Sequence, residues 1–199
     1  MLAFVIVIAY QNYLEADANV SREAAALSSI VRDSAAFPEP GGSNVRRAVG
    51  IYVRSVVADE WPRMREGTDS DLARGGLDGI YAAFRTVAPK TAEQIAFYED
   101  AVQQLNDALD AHRNRIQAAI GGLPGDIAAL ILFTSFVVVA YAVLVGSPSY
   151  WFHLLGPAAI AAVVAVALVV LVDMSYPFSG DFAILPDDFQ TGALEPFFQ

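Results

Sequence analysis

Cysteine is absent from all 199 residues, which excludes disulfides, thiolate catalysis and cysteine-held metal. Positive charge is scarce: twelve Lys and Arg stand against 22 Asp and Glu, for a net charge of -10. No basic surplus exists to neutralise phosphates, so nucleic acid is excluded as a partner. Histidine occurs only at 112 and 153. Neither sits in a zinc-protease or hydrolase motif, and the glycine-rich run at 121–125 lacks the lysine and hydroxyl of a phosphate loop. The carboxylates are spread over helix surfaces, where they read as solvated faces. Asp59 and Glu60 form one acidic pair near a helix end. No enzyme chemistry and no cofactor is implied. Strand signals are lacking too, since the valine-rich stretches are either uninterrupted apolar runs or follow helical spacing.

The absence that decides the class lies at 127–172, which holds no Asp, Glu, Lys or Arg. A turn of Gly-Ser-Pro-Ser divides it into arms of 19 residues (Ile127 to Val145) and 22 residues (Trp151 to Val172). At about 1.5 Å per residue, each arm can cross roughly 30 Å of hydrocarbon. The pattern predicts a transmembrane helical hairpin. Within it the polar side chains are only Thr134, Ser135, Tyr141, His153 and the turn residues, too few for a proton- or ion-coupled transporter. His153 reads as an interfacial or helix-contact residue rather than a proton relay. Alanines at 158 and 162, and at 161 and 165, make small-xxx-small pairs that favour close helix packing.

Met1 to Leu14 is also uncharged, but spans only about 21 Å. It has neither the basic start nor the small-residue cleavage site of a secretory signal. The segment reads as the later part of a transmembrane helix that continues into a soluble one, with its start missing; an interfacial or re-entrant anchor is the alternative.

All twelve bases lie between Arg22 and Arg115. Arg22, Arg113 and Arg115 flank the apolar segments, so the positive-inside rule puts the middle domain in the cytoplasm. The turn Gly146 to Tyr150 is then external and the C-terminus cytoplasmic, with Tyr150 and Trp151 at the outer interface. The expected organisation is all-α. It comprises a partial transmembrane helix at 1–14, a cytoplasmic helical bundle at 15–126, the hairpin at 127–172 and an acidic cytoplasmic tail at 173–199. The expected location is the inner membrane, multi-pass.

Within the bundle, Glu15 to Ala36 should continue the first helix until Phe37-Pro-Glu-Pro-Gly-Gly42 ends it. Ser43 should cap a second helix whose face carries Val45, Val49, Tyr52, Val53, Val56 and Val57. A helix from about Leu72 to Val87 is weakened by Gly75, Gly76 and Gly79. The best-defined helix runs from Thr91 to Ile120, where Thr91 and Gln94 fit a capping box. Ile95, Tyr98, Val102, Leu105, Leu109, His112 and Ile116 step along it as a heptad seam. That seam can pair with the helix from Ser43, elsewhere in the chain or between subunits; intramolecular packing is the default. His112 is placed to fix its register.

The most specific stretch follows the hairpin: Asp173-Met-Ser-Tyr-Pro-Phe-Ser-Gly180, then Pro186-Asp-Asp-Phe189. With Glu23-Ala24, Glu60-Trp61-Pro62 and the run from Arg113 and Arg115 to Leu123-Pro124, it resembles the bacterial bestrophin-like domain family over nearly the whole chain. Members of that family are described as membrane proteins of unknown function, with two spans on each side of a cytoplasmic helical domain. Against that layout, this chain is expected to lack the first span and part of the second. The more distant likeness to true bestrophins implies a homo-oligomeric channel for small anions. Glu60, Trp61 and Pro62 are motif residues of the nearer resemblance, and Pro177, Phe178 and Gly180 are those that the likeness to true bestrophins singles out. Those channels carry Pro-Phe-Gly followed by calcium-binding acids; here Ser179 separates Phe178 from Gly180, and Asp181, Asp187 and Asp188 are the candidate metal ligands. The turn reading is that Pro177 to Gly180 stops the last helix and anchors Phe178 at the interface. Arg113 and Arg115, the bases nearest the hairpin, could form an anion-attracting ring or simply set orientation. The alternative function is a membrane-anchored scaffold whose helices bind a partner.

Overall fold

The computed structural model describes residues 2–145 and 150–199. It is 82% helical, with no strand among the described residues. The helices are α1 (Leu2–Asp33), α2 (Gly41–Ser55), α3 (Trp61–Arg65), α4 (Asp71–Phe84), α5 (Ala92–Ile120), α6 (Gly125–Leu144) and α7 (Tyr150–Ser175). The turn at 146–149 lies outside the described residues.

Helix α1 is continuous, so the apolar N-terminal segment does run on into the bundle. It ends at Asp33, and Ser34–Ala36 add a 3-10 turn before Phe37 turns extended. The two glycines after Pro40 open α2, so the N-cap is Pro40, three residues before the expected Ser43. The capping hydrogen bond comes from Glu39, whose carboxylate accepts from the Ser43 N–H at 3.2 Å, while the Ser43 hydroxyl donates back to the Pro40 carbonyl. The expected apolar face of α2 is buried from Val45 to Val56, with Val57 half-buried. Helix α4 packs along α2, and Gly76 is the reason it can. A Cβ there would lie 3.1 Å from Tyr52 Cα, whereas Gly75 and Gly79 face open space. A capping box of Thr91 and Gln94 opens α5 as expected.

Helices α1 and α5 form the spine of the bundle, so the partner of α5 is chiefly α1 and not α2. The buried line of α5 is Ala101, Leu105, Ala108, His112, Arg115 and Ala119. It keeps the heptad step but is turned from the expected seam: Tyr98, Val102, Leu109 and Ile116 are half-buried at its edge, and Ile95 is 43% exposed. Alanine on this line lets the two long backbones approach closely, which a seam of larger side chains would prevent.

Helices α6 and α7 reverse this burial pattern. Both are long and apolar enough to cross a membrane, and only 6% of each apolar window is buried. A small cluster of Ala9, Ile131 and Leu171 joins them to the first turns of α1. Ala161 is half-buried, but Ala158, Ala162 and Ala165 are exposed, so the small-residue pairs are not used within the chain.

The stretch after α7 is a strap on the bundle rather than a free tail. Two 3-10 segments, Asp187–Gln190 and Gly192–Phe198, carry Phe189 and Leu194 into the core. Tyr13 of α1 donates to the Phe182 carbonyl at 2.9 Å, and Arg54 of α2 donates to the Phe197 carbonyl at 3.3 Å.

Candidate functional site

The centre of the bundle holds ions where a hydrophobic core would be expected. Arg115 and Glu23 are fully buried, and so is Glu60. The Arg115 guanidinium grips Glu23 through two bonds, from Nε to Oε2 at 2.8 Å and from Nη2 to Oε1 at 3.1 Å. Its Nη2 also donates to Glu60 Oε2 at 2.6 Å, and its Nη1 points to the Met64 sulfur at 2.8 Å. Tyr52 donates its hydroxyl to Glu23. His112 Nδ1 stands 3.1 Å from both Arg115 Nη2 and the Tyr52 hydroxyl. Both Nη2 protons and the one Tyr52 hydroxyl proton are directed at Glu23 and Glu60, so these two contacts do not fix which ring nitrogen of His112 carries its proton.

The local chain geometry explains how two neighbouring residues, Glu60 and Trp61, both face inward. Val56–Glu60 form a single π turn, in which the Trp61 N–H donates to the Val56 carbonyl. The extra residue in that turn keeps Val56, Glu60 and Trp61 all buried. Pro62 follows in the first turn of α3, where a missing N–H is tolerated.

Above the ions lies an aromatic lid. The Arg115 guanidinium carbon sits 5.2 Å from the Trp61 ring centroid and 5.6 Å from that of Phe189, so the cation is covered by two π faces. Trp61 meets Phe178 and Phe189 edge-on, at centroid distances of 5.7 and 5.8 Å. Its indole N–H donates to the Ile184 carbonyl at 3.2 Å. The strap therefore closes over the ion cluster. Gly180 turns it back with φ of +84°, a conformation that favours glycine, and a Cβ there would also crowd the Asp173 carboxylate at 2.8 Å. Phe178 is thus a core residue against Trp61 and not an interfacial anchor.

The electrostatics follow from the enclosure. Burial pushes the Glu60 carboxyl up to about 7, against the opposing pull of Arg115. Its second oxygen, Oε1, is buried without a hydrogen-bond partner. A proton on that carboxyl leaves Glu23 and Arg115 as a balanced pair. Burial, aided by the adjacent Arg115 charge, lowers the His112 pKa against the pull of Glu23. Burial and the Glu23 charge raise that of Tyr52. Burial opposes the Arg115 charge, but Glu23 and Glu60 outweigh it and hold the guanidinium above its ordinary value.

The structure brings together Glu60, Trp61, Phe178 and Arg115 from the sequence-level candidates, with Pro62, Pro177 and Gly180 shaping the backbone around them. Arg113 and Arg115 part company. Arg113 is exposed on α5 with Asp110 at 3.4 Å. Arg115 points into the bundle, so it is not available to a ring of bases around a pore. Asp181, Asp187 and Asp188 do not converge, and among the described residues no group of three acidic, histidine or cysteine side chains could hold a metal. Asp188 accepts instead from Ser21 of α1 and ties the strap down. The partners Glu23, Tyr52 and His112 were not expected as a site. The available signal was Arg115 itself, a charge on the same helix line as Leu105 and Ala108.

The sequence model of the Bestrophin-like domain matches residues 1–189. The chain belongs to the Bestrophin-like family. No curated protein and no solved structure matches it. The Bestrophin-like match runs from Glu23 on α1 to Phe189 on the strap, so the ion cluster and its aromatic lid lie within the family's domain.

Proposed function

We propose that the chain is a multi-pass membrane protein that assembles with copies of itself into a channel for small anions. Membership of the Bestrophin-like family, in general a family of channels rather than enzymes, carries this reading. The shape of one subunit supports it. The apolar start of α1 leaves Phe4 68% and Val7 52% exposed, and α6 and α7 cover only its other side. Three apolar segments enclose no path of their own, so a conduction path lies between subunits. Continuous α1 helices then run from the membrane into the bundle, clamped there by Arg115 through Glu23. The bundle and strap lie on the cytoplasmic side, where the bases belong. Arg113 draws anions toward the mouth; Arg115 holds α1 in place.

Anion efflux from liposomes carrying the full chain tests the reading. Flux is expected, and Arg113→Gln should reduce it while leaving the fold intact. A well-folded, inserted oligomer that passes no anions would overturn it and return the protein to the scaffold class.

A further inference from the structure

The face of α1 that crosses from apolar to polar surroundings is open as far as Glu15, with Asn19 buried below it. Phe4, Ile8, Asn12, Glu15 and Asn19 follow one another at helical spacing. They line a cavity of about 540 Å³. Its upper walls are Phe4, Ile8 and Ile127, the last in the first turns of α6. Its lower walls are the amides of Asn12, Asn114 and Gln117, and Met174 and Ser175 at the end of α7 close one side. From Phe4 to Asn19 the face rises about 22 Å. That length matches a lipid headgroup with the first part of its chains.

We infer that this cavity binds one phospholipid drawn from the bilayer, of the kind whose headgroup carries a primary ammonium. Three observations choose that occupant. The cavity is walled by the bundle-side ends of the two helices able to cross a membrane, so its mouth opens where acyl chains meet water. Its lining changes from apolar to amide along one helix face, as the parts of a lipid do. Glu15 is the only charged lining residue, and it has no ion-pair partner among the described residues. A lone carboxylate beside amide donors suits an ammonium with its phosphate, the ammonium on Glu15 and the phosphate on the Asn and Gln side-chain N–H groups. The absence of Arg and Lys from the lining disfavours lipids whose headgroup is a net anion.

The inference rests on the membrane placement of α6 and α7 but not on conduction. The test inserts the full chain into nanodiscs of equal phosphatidylethanolamine, phosphatidylcholine and phosphatidylglycerol, then measures which lipid stays bound on release into detergent by native mass spectrometry. One phosphatidylethanolamine should be retained about fivefold over either of the others. Glu15→Gln should remove the preference, and Glu15→Lys should turn it toward phosphatidylglycerol, an inversion that misfolding cannot produce. Equal retention of the three lipids would overturn the site while leaving the membrane reading intact, as would a preference that ignores both Glu15 variants. The same holds if a second copy of the chain cross-links through Asn114→Cys in place of lipid. A chain that fails to insert would overturn both.

Discussion

The bundle and the hairpin α6–α7 treat the same physical problem in opposite ways. In the bundle the apolar side chains turn inward, and the few charges that go with them are enclosed and paired around Arg115. In the hairpin no Asp, Glu, Lys or Arg stands between Asp126 and Asp173, and the apolar side chains turn outward: Phe136 is 71% and Val163 70% exposed. A buried charge costs several kcal/mol unless it is paired and hydrogen-bonded, so Arg115 needs both Glu23 and its aromatic cover. An outward-facing apolar helix needs only a solvent that is itself apolar. The bundle closes a large apolar core around its polar joint, whereas the hairpin buries almost none of its apolar surface within the chain.

The joint is the place to break first. Arg115→Gln leaves Glu23 buried without its counter-charge and should cost about 3–5 kcal/mol in chemical denaturation of the bundle. Adding Glu23→Gln should restore part of that loss, because the orphaned charge goes with it. Should the single change prove neutral, the ion cluster is not what holds α1 to α5.

Removing the lid comes next. Trp61→Ala should cost about 3–5 kcal/mol and expose residues 176–199 to limited proteolysis, since the strap rests on that ring. Phe182, 60% exposed on the same strap, is the matched control and should change neither measurement when cut to Ala. Along α5, Leu105→Ala should cost about 2–5 kcal/mol. Leu109→Ala should cost clearly less, because Leu109 is only half-buried. Equal losses would restore the seam that the sequence suggests.

Stability against pH sharpens the electrostatic half of the comparison. An unfolded glutamate titrates near 4.5, while the Glu60 carboxyl in the fold titrates at about 7. The fold keeps a proton that the unfolded chain releases, so this contribution is full below pH 4.5 and is lost as pH rises to about 7, by up to about 3 kcal/mol. His112, lowered from 6.5, works the other way and loses its contribution as pH falls below that value. Glu60→Gln should abolish the alkaline loss and leave the acidic one. Melting curves between pH 4 and 8 decide it. The smallest effect belongs to the hairpin: Val163→Ala should shift stability by less than about 0.5 kcal/mol in a single subunit. A larger loss confined to the oligomer would mark that face as a subunit contact.

Much of this was legible in the sequence. The charge gap at 127–172 announced the hairpin, and Thr91 with Gln94 announced the start of α5, because both are local signals. The rotation of α5 was not legible, since Leu109 and Ala108 both lie on heptad spacing and hydrophobicity alone favours the larger side chain. Close approach of α1 selects the alanine. Arg115 was misread for a similar reason. A base near a membrane segment suggests a surface role, and only its counter-ions, 55 and 92 residues away in sequence, turn it inward. The strap was hidden because Phe178 and Phe189 find their partner in Trp61, a tertiary contact that no local pattern carries.

Single cysteines report which side of the membrane the bundle lies on, since the chain has none of its own. Ser147→Cys, in the turn between the arms, and Glu99→Cys, exposed on α5, are each treated on intact cells with a membrane-impermeant maleimide. Ser147→Cys should label, and Glu99→Cys should label only after the cells are opened. Labelling of Glu99→Cys on intact cells, with Ser147→Cys protected, would place the bundle outside and contradict its cytoplasmic placement.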